Sequence, residues 1–241
     1  MITILKQSWQ FIQDPKNQFG LETQKYLQLC IVAIVASLVI AIFLGIVTSR
    51  NATFAFLAAN VSGLFRAIPI IAFFALTLSL PFFNLGIGFK PAVISLIVLG
   101  IPPILLNTIA GLRGIDPAIV DAARGMGMTP LQVLGRVQLP LVIPVIAAGA
   151  RTSGVQIVAT APLATIIGAG GYGDYIQAGI GLQAAGIPEL LAGVIPVILL
   201  ALLTEFGLAG VQRLLTPIAL RTGALGTSSD TASGKGVVAS S

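Results

Sequence analysis

Thirteen basic and eight acidic residues are all the charge this chain carries, and histidine is absent. That removes the side chain most used as general base and metal ligand near neutral pH. The single cysteine, Cys30, excludes a disulfide framework and a cysteine-built zinc site. No Gly-x-x-x-x-Gly-Lys-Ser/Thr pattern occurs, so the glycine-rich run Gly168-Ala-Gly-Gly-Tyr-Gly is not a nucleotide cradle. No nucleophile–base pair supports an enzyme reading. The charge that could do something gathers between Gly114 and Pro140: Asp116, Asp121, Arg124 and Arg136, with Arg113 at the edge. On short helices such groups make charge-assisted hydrogen bonds to a partner.

The elements that position these residues are two short helices. Asp116 is a good N-cap and Pro117 sits at the first helical position, where a missing N–H costs nothing. This helix should run through Val120, Asp121 and Ala123 and stop near Gly125 to Gly127. Gly127 falls where a chain needing positive φ is best served by glycine. Ala122 and Ala123 are small enough to let a partner surface come close. Thr129 is a second N-cap with Pro130 after it, and Leu131, Val133 and Leu134 open the next helix. Leu139-Pro140 should break the pattern before a new apolar run. The expectation is a docking knob between two spans.

The rest of the chain has the composition of a membrane protein, 56% hydrophobic and 9% charged, with a mean hydropathy of +1.01. Runs of about twenty apolar residues, the length that crosses a bilayer as helix, recur. We read spans at Leu27 to Thr48, at Ala92 to about Ala110 with a kink at Pro102-Pro103, at Leu141 to about Ile167, and at Leu190 to about Val211. Ala52 to Leu80 is too short for two spans. It reads as one long element broken at Arg66-Ala67-Ile68-Pro69, crossing after the break. Phe82 to Phe89 is a short loop. The organisation is therefore an N-terminal interfacial segment over 1–25, a transmembrane domain over 26–221 with its loop at 113–139, and a disordered tail over 222–241. Ile2, Leu5, Trp9 and Ile12 fall at helical spacing, as in a helix lying on the membrane surface; a partly ordered tail is the alternative. Gly168 to Tyr175 reads as a mobile turn on the side away from the knob.

Charges inside spans need a reason. Arg151 lies about 16 Å in from Pro140, and Glu205 about 12 Å in from Arg213, at 1.5 Å per residue. They can pair, or Arg151 can stand at the pathway or gate. Arg66 can snorkel or line a central interface. With the knob inside the cell, Arg50, Arg113, Arg124, Arg136, Arg213 and Arg221 are all inside and Lys90 is outside, as basic residues prefer. Lys6, Lys16 and Lys25 then lie outside with the N-terminus, against that preference. The basic residues mark topology and not a nucleic-acid surface.

Asp121-Ala122-Ala123, Gly127, Val137 and Leu139-Pro140, at their spacing, resemble the EAA motif of bacterial ABC importer permeases. Asp stands for Glu and Val for Ile. The resemblance implies an all-α membrane protein of the type I (MetI-like) permease architecture with about five spans. It implies that Asp121, Ala122, Ala123, Gly127, Val137, Leu139 and Pro140 contact a cytoplasmic ABC ATPase. ATP and Mg would then be held by that ATPase, with no cofactor in this chain. A second permease subunit, identical or homologous, an extracytoplasmic solute-binding protein and membrane lipid complete the implied partners. Arg66-Ala-Ile-Pro69 resembles the corresponding position of the family.

The stretch from Arg151-Thr152 through Thr160-Ala-Pro162 to Tyr175-Ile176 resembles the osmoprotectant branch, importers of glycine betaine, choline, carnitine and proline betaine in prokaryotic plasma membranes. It places Arg66, Pro69, Arg151, Thr152, Thr160 and Pro162 at the pathway or gate. Methionine or other amino-acid importers share the glycine-rich stretch and are the nearest alternative. Quaternary ammonium ions are usually held by aromatic faces. One Trp and three Tyr make a cage in this chain unexpected, and recognition falls to the binding protein. A secondary transporter would show an inverted repeat and buried acids for ion coupling, of which Glu205 is the one clear candidate.

Overall fold

The computed structural model describes residues 2–79 and 86–216, and every described segment is helix, turn or short connection. In chain order the helices are α1 (Ile2–Gln13), α2 (Phe19–Ser49), α3 (Ala52–Ala67), α4 (Ile70–Ser79), α5 (Phe89–Arg113), α6 (Pro117–Gly125), α7 (Pro130–Val133), α8 (Leu139–Thr160), α9 (Tyr172–Gly181) and α10 (Ile187–Leu215). The expected tail, Arg221, and the first half of the Phe82 to Phe89 loop lie outside the described residues.

α2, α5, α8 with its extensions, and α10 are each long and apolar enough to cross a membrane. α3 and α4 are bent by 96° at their break. Ile68 there is extended, the conformation forced on a residue before proline, here Pro69. The ends of this pair lie at opposite ends of the molecule. Arg50, just before α3, lines one cleft with Arg124 of α6. Gly88, after α4, donates its N–H to the Ile167 carbonyl beyond α8 at 2.7 Å. The chain therefore crosses between Arg50 and Gly88, making five passes with the knob at one end and the glycine-rich turn at the other.

α5 is the central helix, with 67% of its apolar window buried. Close approach replaces a hydrophobic drive between spans. A Cβ on Gly100 would sit 2.7 Å from Ile157 and 2.8 Å from Ser153, and one on Gly149 2.8 Å from the Pro103 carbonyl. Ser153 Oγ donates to the Gly100 carbonyl at 2.8 Å. Pro102 and Pro103 lie inside α5 without ending it.

Three sequence expectations are corrected. The first span does not start at Leu27: α2 begins at Phe19 and carries Glu22 and Lys25 within it. Those charges are tolerated because Lys25 pairs with Glu22 at 2.6 Å, and Glu22 accepts the Gly171 N–H at 2.5 Å. The glycine-rich turn is accordingly tied to the N-terminal segment and not a free loop. Tyr172 Oη donates to Thr23 Oγ1 at 2.9 Å, Tyr175 Oη donates to the Asn17 carbonyl at 2.6 Å, and Ala169, Tyr172 and Tyr175 are buried. Leu139-Pro140 does not break the helix either. Leu134–Gln138 is a π-helical turn that joins α7 to α8. Pro140 cannot donate to the Arg136 carbonyl and its ring would strike it; widening the turn, so that the Leu139 N–H reaches Leu134, removes both problems. In α1, Ser8 is buried, Phe11 and Ile12 are half-buried, and Trp9 is 60% exposed. α1 packs on α10, and the Phe11 ring meets Tyr175 edge-on at 5.5 Å.

Candidate functional site

At the knob end, the caps are those the local sequence encodes. Asp116 accepts the Ala118 N–H at 2.9 Å. Thr129 and Gln132 form a reciprocal capping box. Between the helices Gly127 has φ +81°. Its N–H reaches the Arg124 carbonyl at 2.9 Å, and the Met128 N–H reaches Ala123 at 3.3 Å. This pair of bonds is a Schellman turn, which needs a left-handed residue at Gly127.

The turn presents Asp121, Ala122 and Arg124 to the outside and buries Ala123 at 2% exposure. Ala123 therefore packs inward, against the expectation that it meets a partner; one helical turn from the half-buried Val120, it lies on the inner face of α6. Asp121 and Arg124 are 3.9 Å apart and both exposed, a weak surface pair. Val137 and Leu139 are half-buried and Pro140 is exposed along the π turn. Met126, and Leu131 at the opening of the second short helix, are 76% and 74% exposed. Among the many apolar residues between Gly114 and Pro140, only their exposure sets these two apart.

The pathway candidates do not form one pocket. Arg66 and Pro69 are exposed at the α3–α4 bend. Arg151, Thr152 and Thr160 are on α8, and Pro162 is buried in the 3-10 segment Ala161–Ile167 that follows. Arg151 joins Glu205 of α10, its Nε 2.8 Å from the carboxylate and its Nη2 on the same oxygen. A cleft of about 430 Å³ opens beside them, with Gln212 and Arg213 on its wall.

At the opposite end the aromatic residues are brought together, but as a closed cluster. Tyr26 and Tyr172 centroids are 4.8 Å apart, and Phe19 lies 5.5 Å from Tyr172 and 5.9 Å from Tyr175. Tyr26 Oη is spent on the Val158 carbonyl at 2.5 Å. Burial, and then the carboxylates of Glu22 and Asp174, push the Tyr175 phenol up to about 12. The rings pack on each other and leave no aromatic face for a cation. Among the described residues no group of three or more His, Cys, Asp or Glu could hold a metal ion.

Five passes, a bent second element and a capped two-helix knob between the third and fourth passes define a membrane-embedded transport subunit. The family described as binding-protein-dependent transport system inner membrane component matches residues 33–217, and the chain belongs to it. It is thus an ABC importer permease, a class that works with an ATPase and a solute-binding protein. Among its relatives, the carnitine transport permease protein OpuCB of Listeria monocytogenes is 37% identical over 88% of this chain and 94% of its own. The choline transport system permease protein OpuBB of Bacillus subtilis is 34% identical over 88% and 95%. The osmoprotectant import permease protein OsmW of Salmonella typhimurium is 35% identical over 88% and 98%. Among solved structures, an inward-facing MetNI methionine ABC transporter superposes with a TM-score of 0.73 at 23% identity, covering 85% of this chain and 100% of that one. At that identity the likeness is one of fold.

Proposed function

We propose that this chain forms the translocation pathway of an ATP-driven importer for a compatible solute of the glycine betaine, choline or carnitine kind. One observation carries the reading: relatives matching over nearly their whole length are named for these solutes. The methionine alternative rests on fold likeness at 23% identity. Recognition belongs to an extracytoplasmic binding protein, since the aromatic cluster is closed. ATP and Mg are held by a cytoplasmic ATPase that docks on the knob through Asp121, Ala122 and the exposed Met126 and Leu131.

The knob faces the cytoplasm of a prokaryotic cell, because Arg50, Arg113, Arg124, Arg136 and Arg213 lie toward its end. The N-terminus is outside, where Glu22 offsets Lys25. A second permease subunit, identical or homologous, completes the pathway. The test is uptake by the importer reconstituted with its ATPase and binding protein. Glycine betaine, choline or carnitine should be taken up only with ATP inside, and the purified chain alone should bind no ATP. Methionine taken up in preference to these solutes would overturn the solute class.

A further inference from the structure

The outward faces of the spans differ in chemistry. On α2 that face is Ile31, Val35, Val39, Phe43 and Val47, and on α10 it includes Leu199, Leu203 and Phe206, all at least 50% exposed. These faces suit lipid. On α8 no large apolar side chain is that exposed; Val145, at 37%, comes nearest. In their place stand Thr152, Gln156, Ala159 and Thr160, exposed or half-exposed. Thr152, Gln156 and Thr160 recur every four residues, so they climb one side of the helix in steps of about 6 Å. Hydroxyl and amide groups in a span turn toward a water-filled cavity or the bundle interior and away from lipid.

The three groups are not equivalent. Thr152 Oγ1 donates to the Ala148 carbonyl at 3.1 Å, and Thr160 Oγ1 donates to the Gln156 carbonyl. With their protons engaged, both hydroxyls offer lone pairs outward. The Gln156 side-chain amide makes no hydrogen bond among the described residues. It is the one group on this face with free N–H donors. A quaternary ammonium group has no N–H, so solutes of this kind are told apart by their other end, a carboxylate or a hydroxyl. We infer that Gln156 is a selectivity residue of the pathway, its amide donating to the carboxylate of a passing zwitterion. This rests on the solute class proposed above and adds a discriminating residue to it.

The test uses the complete importer in proteoliposomes with its binding protein saturated by glycine betaine or by choline, so that turnover through the membrane is what differs. Gln156→Leu should lower glycine betaine turnover about tenfold, the order of one lost charge-assisted hydrogen bond, and leave choline within about twofold. Gln156→Glu should widen the difference by repelling the carboxylate, and Gln156→Asn should restore part of it. In parallel, Gln156→Cys and Thr152→Cys should react with a membrane-impermeant thiol reagent, Phe206→Cys should not, and buried Cys30 provides the background. An unchanged betaine-to-choline ratio in both the Leu and Glu variants, or an unlabelled Gln156→Cys in an active importer, would overturn the inference and leave the solute class standing. A wild-type importer that moves neither solute would overturn both.

Discussion

Replacing Gly127 separates conformation from contact, because the two costs can be read apart there. A Cβ at this position would meet nothing within 4 Å. Every penalty therefore comes from holding φ at +81°, which for an alanine is roughly 1–2 kcal/mol and is larger for a β-branched residue. That is about a 5- to 30-fold loss in the population of the turn. Gly127→Asn should be mild, since asparagine tolerates the left-handed region. Gly127→Ala should be intermediate and Gly127→Val severe, and Gly127→Pro should abolish the turn by removing the N–H given to Arg124. All four should insert in the membrane normally, because the spans do not depend on this turn. The assay is ATPase pull-down alongside uptake, with membrane-inserted protein as the denominator. The expected order is Gly, Asn, Ala, Val. Asparagine as damaging as valine, or valine as good as glycine, would refute the argument that the turn's backbone sets the docking geometry.

Ala122→Trp should block ATPase pull-down while the knob stays folded, whereas Ala123→Trp should expose the knob to limited proteolysis, because only Ala123 is buried; identical behaviour would contradict the assigned faces. Arg151→Gln or Glu205→Gln alone should reduce the amount of assembled permease by leaving one charge without its partner. The double variant should recover part of that loss, and additive losses would mean the pair is uncoupled. The Tyr175 phenol, raised by burial, should contribute fully to stability below pH 10 and cease to contribute as pH rises through about 12. Thermal unfolding of the wild type should therefore fall more steeply across that window than that of Tyr175→Phe, and parallel curves would argue against a buried phenol.

The parts legible in the sequence are those fixed by neighbours in the chain. Asp116-Pro117 and Thr129-Pro130 cap helices through groups two or three residues away, and Gly127 closes a turn with its own helix. What was not legible depends on distant partners. Glu22 and Lys25 look like the end of an apolar run until the Gly171 N–H, far along the chain, is brought to Glu22. The glycine-rich turn looks loose for the same reason, since Tyr172 and Tyr175 are tied by residues of the N-terminal segment. Ala122 and Ala123 are alike in composition, and only the phase of α6 against its neighbours separates an outer alanine from an inner one. Arg151 and Glu205 could be matched by depth, though which faces of α8 and α10 meet was settled by packing. Gln156 went unnoticed because one amide in an apolar run carries no pattern; its setting depends on what covers the rest of α8.

The π turn at Leu134–Gln138 keeps Pro130 to Thr160 in one helical rod. From Pro130 to Gln156 that rod is about 39 Å long at 1.5 Å per residue. A loop at Leu139-Pro140 would have absorbed a push on the knob in its own φ and ψ. A rod passes the push on: pivoted at its knob end through about 10°, its Gln156 level sweeps roughly 7 Å. With the ATPase docked as proposed above, small strokes at its surface would become displacements on the scale of a whole solute molecule, and leverage, rather than any rearrangement within α8, is what the proline's accommodation preserves.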